Sequence, residues 1–107
     1  MRIWLDDERD PKDDFVQTKF GSNHNDVWAK TAQEAINLLE TGKFSAISFD
    51  HDLGTDLSGL DVAHWIEKHA FERTISRLDW SVHSMNPIGK KNIESTMKNA
   101  DKFWNTF

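Results

Sequence analysis

The chain has no cysteine, and this absence limits the kind of site that it can build. Disulfide bridges and thiolate metal sites are both excluded. Any metal ion must therefore be held by carboxylate, imidazole, hydroxyl or carbonyl groups, and oxygen-rich ligand sets favour hard cations. The cofactor that the sequence predicts is Mg²⁺ or Mn²⁺.

Long hydrophobic runs and an excess of positive charge are also lacking. No apolar segment approaches the roughly 20 residues that span a bilayer, and the N-terminus has no secretory signal pattern. We therefore expect a soluble cytoplasmic protein without membrane contacts. The formal net charge of −5 argues against an extended nucleic-acid surface. The expected partner is a small nucleotide or an RNA end.

The sequence is typical of a single α/β domain over residues 1–107, without repeats or linkers. Its five Trp and seven Phe supply large buried areas for a core. Short apolar runs that stop at acidic or polar residues alternate with amphipathic segments, which predicts a parallel sheet with helices on both faces. The predicted strands are Arg2–Leu5, Val27–Trp28, Ala46–Phe49 and Leu78–Val82.

Three helix starts carry capping signals. Thr31 with Glu34 forms a capping-box pattern, Ser58 precedes the next helix, and Asn86 stands directly before a proline. Gly42 ends the first of these helices. Residues 9–25 are predicted to be a loop with at most one short helix.

Polar residues follow three of the predicted strands directly, and in an open parallel sheet ligands bind outside the carboxyl ends of the strands. A turn or cap role would explain each group alone. Carboxylates that converge repel each other, however, unless a cation or a shared proton offsets their charge. We therefore predict one divalent-metal and phosphate site, formed by the groups Asp6-Asp7-Glu8, Asp50-His51-Asp52 and His83-Ser84-Met85-Asn86.

The metal ligands predicted with most weight are Asp7 and Asp50, with Asp6 or Asp52 completing the shell directly or through water. Water or substrate phosphate would fill the remaining positions. Gly54 allows the chain to turn sharply near the metal.

The predicted catalytic residues are Asp50, His83 and Ser84. His83 is suited to proton transfer because an unperturbed imidazole has a pKa of about 6.5. The Ser84 hydroxyl is expected to donate to a phosphate oxygen. His51 contacts the substrate or, if the chain there is extended, points away and orients a neighbour. The residues predicted to bind substrate phosphate are Arg9, His51, Asn86 and Lys90.

Four ordered motifs resemble a known family. They are Leu5-Asp-Asp-Glu-Arg9, Ser48-Phe-Asp-His-Asp-Leu-Gly54, Ser58-Gly-Leu-Asp61 and His83-Ser-Met-Asn-Pro87-Ile-Gly89, and together they are similar to the cyclic-phosphate processing receiver domains. The resemblance implies a three-layer receiver-like sandwich with the flavodoxin-type strand order 2-1-3-4. The fifth strand and helix of an ordinary receiver are expected to be missing.

The same resemblance implies action on a cyclic phosphate of a nucleotide, an RNA end or an ADP-ribose derivative. Our first hypothesis is therefore a metal-dependent cyclic phosphodiesterase or phosphohydrolase. A receiver-type signalling module phosphorylated on Asp50 is the second. A non-catalytic protein that binds a nucleotide or a partner is the third, and the residues alone do not separate the three.

Overall fold

Four short segments form the strands of one sheet, and each is followed by a helix. The computed structural model describes residues 1–106. The strands are β1 (Arg2–Leu5), β2 (Val27–Ala29), β3 (Ala46–Phe49) and β4 (Asp79–Val82). The helices are α1 (Asp14–Phe20), α2 (Ala32–Glu40), α3 (Gly59–Glu72) and α4 (Pro87–Trp104).

The strands pair in parallel in the order β2-β1-β3-β4, which confirms the predicted fold class. The register places Leu5 of β1 opposite Phe49 of β3, and Phe49 opposite Val82 of β4. Three neighbouring strands therefore end at the same level. Residues 1–106 contain no fifth strand, as expected from the sequence.

The next residue of each of these strands continues the ladder. Asp6, Asp50 and His83 donate their backbone N–H groups to the adjacent strand at 2.8 to 3.0 Å. Since side chains alternate across a strand, all three are placed to project from the same face. The carboxyl edge of the sheet thus carries two carboxylates and an imidazole in a row.

One face of the sheet carries the main hydrophobic core. Ile3, Leu5, Ile47 and Phe49 are fully buried there because they occupy alternate positions of the two central strands. The apolar sides of α2, α3 and α4 cover them, with contributions from Val62, Ile66, Ile93 and Met97.

The opposite face is covered by the segment that contains α1. Trp4 is fully buried there and donates its indole N–H to the carbonyl oxygen of Arg9 at 3.0 Å. Arg2 pairs with Asp26 at 2.6 Å and fixes the far end of this segment. Over β4 the cover is incomplete, and Ser81 is exposed.

The helix starts follow the capping signals with one difference. Ser58 and Asp61 form a reciprocal capping box, and the Asn86 side chain accepts from the N–H of Gly89 at 3.0 Å. Thr31 caps α2, but the Glu34 carboxylate accepts from the N–H of Lys30 instead of closing the box on Thr31.

Residues 9–25 hold one short helix, as predicted, which begins after the cap Asp13 and ends at Gly21 with φ 82°. No helix within residues 1–106 combines the length and apolar composition needed to cross a bilayer.

Candidate functional site

Three carboxylates meet at the carboxyl edge of the sheet. Asp6 and Asp7 follow β1 and Asp50 follows β3, and one oxygen of each lies within 4.8 Å of the others. Asp6 and Asp50 are buried, while Asp7 is half-buried. A group of this size and composition can bind a divalent cation, and it contains three of the four predicted metal ligands.

Asp6 is held by four hydrogen bonds. One of its oxygens accepts from the backbone N–H groups of Glu8 and Arg9, both at 2.9 Å. The other accepts from the Arg9 guanidinium at 3.2 Å and from His83 Nε2 at 3.1 Å. Burial alone would raise the pKa of Asp6, but the hydrogen bonds from His83 and the two backbone groups hold that pKa below its ordinary value. Asp6 is therefore a fixed, ionised carboxylate.

Asp50 has the opposite electrostatic balance. Burial raises its pKa, and the negative charge of Asp6 raises it further. Asp50 Oδ1 accepts from the N–H of His51 at 2.8 Å, and Oδ2 lies 3.6 Å from the Arg9 guanidinium. These groups offset only part of the free-energy cost of ionising Asp50. A cation beside Asp50 would therefore relieve the remaining repulsion between its carboxylate and that of Asp6.

Asp7 and Asp50 of this group line an open cavity of about 530 Å³, which we call the acidic cavity. Gly54 lies at its edge with φ +66°, and a Cβ there would lie 3.1 Å from Asp7 Oδ2. The glycine therefore leaves space beside the Asp7 carboxylate. The acidic cavity is lined by Asp7, Glu8, Arg9, Asp50, Asp52, Gly54, Met85, Asn86 and Pro87.

The structure does not bring Asp52 and His51 into the carboxylate group. The Asp52 side chain is 69 % exposed and accepts from His51 Nδ1 at 2.9 Å and from Asn86 Nδ2 at 3.4 Å. These contacts hold the pKa of Asp52 below its ordinary value, with the His51 hydrogen bond as the main cause. The His51 ring packs against Gly89 at the start of α4, where a Cβ would overlap it. His51 therefore orients its neighbours and does not line the acidic cavity.

The loop after β3 is also fixed by close backbone contacts with the first residue of α3. Gly59, the first residue of α3, donates its N–H to the carbonyl oxygen of His51 at 2.8 Å. A Cβ at this position would overlap the carbonyl oxygen of Asp50. The absence of a side chain at Gly59 thus allows α3 to begin directly against the backbone of Asp50.

His83 reaches Asp6 but is buried on the α1 side of the sheet. Its ring stacks on Trp4, with centroids 3.7 Å apart and planes 5° from parallel. With Nε2–H donated to Asp6, Nδ1 accepts from the Ser48 hydroxyl at 2.8 Å. The side chain is only 4 % exposed. Both ring nitrogens are occupied, so His83 holds Asp6 in place and does not project into the acidic cavity.

Ser84 and Lys90 lie beside a second cavity of about 470 Å³, which we call the lysine cavity. The Ser84 hydroxyl accepts from the N–H of Asn86 at 3.1 Å. Of the group predicted after β4, Met85 and Asn86 line the acidic cavity, whereas His83 and Ser84 do not. The lysine cavity is lined by Lys19, Phe20, Gly21, Ser48, Ser81, Val82, His83, Ser84, Met85 and Lys90.

Sequence analysis missed the residues that hold His83 and Arg9 in position. Trp4 and Ser48 hold His83, and Phe20 packs against the Arg9 guanidinium at 4.2 Å. Strand alternation contains part of this signal, because Trp4 of β1 precedes Asp6 by two residues and Ser48 of β3 precedes Asp50 by two. The position of Phe20 depends on how the α1 segment packs, and the strand pattern carries no information on it.

Comparison with known proteins gives one result. No curated protein and no solved structure matches the chain significantly. A family model described as the cyclic-phosphate processing receiver domain matches residues 1–99. The match covers the whole sheet, all the carboxylates of the site and most of α4. The chain therefore belongs to the cyclic-phosphate processing receiver domain family, and its α/β fold with strand order 2-1-3-4 is that of a receiver-type domain.

Proposed function

We propose that this protein hydrolyses a cyclic phosphate ester with the help of a divalent cation, acting on a nucleotide, an RNA end or an ADP-ribose derivative. The observation that carries the proposal is the group Asp6, Asp7 and Asp50, with oxygens within 4.8 Å of one another at the edge of a cavity that Arg9 also lines. The family match supports the cyclic phosphate as the substrate group.

The residues fit Mg²⁺ or Mn²⁺. Carboxylate oxygens are the ligands that hard divalent cations prefer. Asp7 and Asp50 are the best candidates for direct ligands, because Asp6 already accepts four hydrogen bonds and Gly54 leaves space beside Asp7. When bound, the cation would neutralise phosphate charge and polarise the phosphate group as a Lewis acid.

Other residues that line the acidic cavity are suited to an anion. Arg9 presents a guanidinium whose Nη1 already contacts Asp6 at 3.2 Å, so its orientation is fixed before a phosphate arrives. The 18-residue helix α4 begins at Pro87 in the lining of this cavity, and its N-terminal dipole favours negative charge. Asn86 supplies an amide donor in the same lining. A phosphate group would thus be bound through the cation and directly by these groups.

The reaction adds the elements of water across one ring P–O bond. The attacking oxygen forms a bond to phosphorus, the ring P–O bond breaks, and a proton from the attacking water ends on the released hydroxyl, leaving a phosphomonoester. The nucleophile is either water or the Asp50 carboxylate, which would first form an acyl phosphate that water then cleaves. In both routes His83 acts as a positioning residue, since it holds Asp6 and is itself buried.

The test is turnover of a nucleoside 2′,3′-cyclic phosphate with Mg²⁺ or Mn²⁺, followed by chromatography of the phosphomonoester. We expect activity in the wild type, loss in Asp50→Ala and Asp7→Ala, and retention in Asp56→Asn, which replaces an exposed carboxylate outside the cavity lining. Binding of metal and nucleotide without turnover would instead favour a binding protein. A stable adduct on Asp50 after treatment with acetyl phosphate, again without turnover, would favour the signalling module.

A further inference from the structure

The lysine cavity has a charge opposite to that of its neighbour. Its lining contains the ammonium groups of Lys19 and Lys90 and no carboxylate, whereas four carboxylates line the acidic cavity. The chain as a whole has a net charge of −5. The lysine cavity is therefore locally positive on a protein whose net charge is negative. Its electrostatic field favours an anion.

Neither lysine is neutralised within the protein. Over residues 1–106, no carboxylate lies within 4.0 Å of the ammonium group of Lys19 or Lys90. Lys19 Nζ instead lies 5.6 Å from the Phe15 ring centroid and 5.7 Å from that of Phe20, which places the cation by contact with two aromatic rings. The charge of both groups remains available for a ligand.

A hydroxyl in the same cavity adds hydrogen-bonding capacity. Ser84 Oγ accepts from the N–H of Asn86, and this leaves its O–H free to donate. Two ammonium groups and a hydroxyl donor form a set that recognises phosphate oxygens. They also define a ligand class, since a neutral sugar or base would leave both charges unmatched.

The two cavities are adjacent. Met85 lines both, and its side chain is 65 % exposed on the ridge between them. On the other side, Arg9 of the acidic cavity stacks over Phe20 of the lysine cavity at 4.2 Å. At about 530 and 470 Å³, the cavities together are large enough for a ligand bigger than one cyclic phosphate group.

We propose that the lysine cavity binds a second phosphate group of the same substrate. The substrate class is then a nucleoside cyclic phosphate that carries a further phosphate or pyrophosphate group, with the cyclic phosphate in the acidic cavity and the other group between Lys19 and Lys90. This inference rests on the proposed function for the position of the first phosphate. The anion site itself rests only on the lysine cavity.

The first experiment compares a hydrolysis-resistant analogue of adenosine 2′,3′-cyclic phosphate with the same analogue phosphorylated on the 5′-hydroxyl, using the Mg²⁺-loaded protein. We expect the 5′-phosphate to lower Kd by about tenfold or more, since it adds charge-assisted hydrogen bonds. The Lys19→Ala/Lys90→Ala double variant should bring the ratio of the two Kd values close to one. The control Lys43→Ala/Lys98→Ala replaces exposed lysines outside both cavities and should retain the preference.

A ratio near one in the wild type, or a preference that persists in the Lys19→Ala/Lys90→Ala variant, would overturn the substrate class. A corresponding ADP-ribose cyclic phosphate identifies the source of the second charge. Tighter binding than the 5′-phosphate compound indicates a pyrophosphate group, and weaker binding indicates a terminal phosphate.

The second experiment separates this inference from the proposed function. Inorganic pyrophosphate is titrated into the metal-free protein while backbone amide signals are followed by NMR. We expect shifts at Ser84 and Lys90 that remain in Asp50→Asn and vanish in Lys19→Ala/Lys90→Ala. No shift at these amides overturns the anion site. Shifts with pyrophosphate but no binding of any cyclic nucleotide would overturn the proposed function and the substrate class together while retaining the anion site.

Discussion

The imidazole of His83 lies flat on the indole of Trp4, with ring centroids 3.7 Å apart and planes 5° from parallel. This contact joins the end of β4 to the middle of β1 across the sheet. It turns Nε2 of His83 towards Asp6 and buries the ring beneath the α1 segment. The Asp6 carboxylate is therefore oriented by the core of the protein, and the cation site that we propose depends on this arrangement.

Replacing His83 should lower stability because the ring has three partners. His83→Ala removes the stack and one hydrogen bond each from Ser48 and Asp6. We expect the free energy of unfolding to fall by about 3 kcal/mol in urea titrations. His64→Ala, which truncates an exposed histidine on α3, should stay within about 0.5 kcal/mol of the wild type. Equal stability of the two variants would contradict this account of the His83 contacts.

Divalent cations should stabilise the protein through Asp7 and Asp50. At a free Mg²⁺ or Mn²⁺ concentration one hundred times the Kd, we expect the free energy of unfolding to rise by about 2.7 kcal/mol. Thermal-shift titrations should show this rise in the wild type and in Asp56→Asn, and its loss in Asp7→Asn and Asp50→Asn. A metal response that survives in both of the latter variants would mean that the cation binds elsewhere.

Neutralising Asp50 and Asp6 should affect the metal-free protein in opposite directions. The pKa of Asp50 is raised above its ordinary value of 3.8, so its ionisation costs stability as the pH rises from 3.8 through the folded-state pKa. Asp50→Asn removes this cost and should raise the free energy of unfolding at neutral pH with chelator present. A decrease would contradict the repulsion inferred at this carboxylate.

The pKa of Asp6 is lowered, so its stabilising contribution is complete above the ordinary value of 3.8 and is lost as the pH falls through the folded-state pKa. Asp6→Asn should lower the free energy of unfolding at neutral pH by about 3 kcal/mol, because it breaks buried charged contacts with Arg9 and His83. Urea titrations over a range of pH should show the difference from the wild type shrinking in acid. A constant difference would indicate that the loss is steric and not electrostatic.

Much of the site could be predicted from the sequence because acidic residues directly follow β1 and β3, and the carboxyl ends of parallel strands lie at the same edge of the sheet. This places Asp6, Asp7 and Asp50 together without knowledge of side-chain contacts. The same strand-end rule predicted that His83 lies at this edge, but it did not predict that the His83 ring is buried on the α1 side of the sheet. The ring direction follows from packing against Trp4, which depends on the cover supplied by the α1 segment.

The positions of Ser84 and Lys90 were harder to predict for a different reason. The strand-end rule says nothing about the turn after β4, where the chain bends into α4 and distributes its side chains between two cavities. Lys19 lies more than 60 residues earlier in the chain and reaches the lysine cavity only because α1 folds over the sheet. Local sequence patterns carry no information on contacts between residues so far apart in the chain.

Gly59 should be needed for the geometry of Asp50 and not only for stability. In Gly59→Ala the Cβ would overlap the carbonyl oxygen of Asp50, so the loop that carries this carboxylate must shift. We expect a loss of Mg²⁺ affinity together with lower stability. Gly42→Ala serves as the control, because Gly42 has φ +72° and open space around it, so only backbone strain of about 1–2 kcal/mol is expected. Mg²⁺ affinity in calorimetry should remain unchanged in that control.

We propose that a cation held by Asp7 and Asp50 contacts the cyclic phosphate in the acidic cavity. Phosphorus NMR of a hydrolysis-resistant analogue of a nucleoside 2′,3′-cyclic phosphate tests it directly, because Mn²⁺ broadens the resonance of a phosphorus atom beside it. We predict strong broadening with the wild type and with Asp56→Asn, and its loss in Asp7→Asn/Asp50→Asn. Analogue binding without broadening, or broadening that persists in the double variant, would contradict the claim.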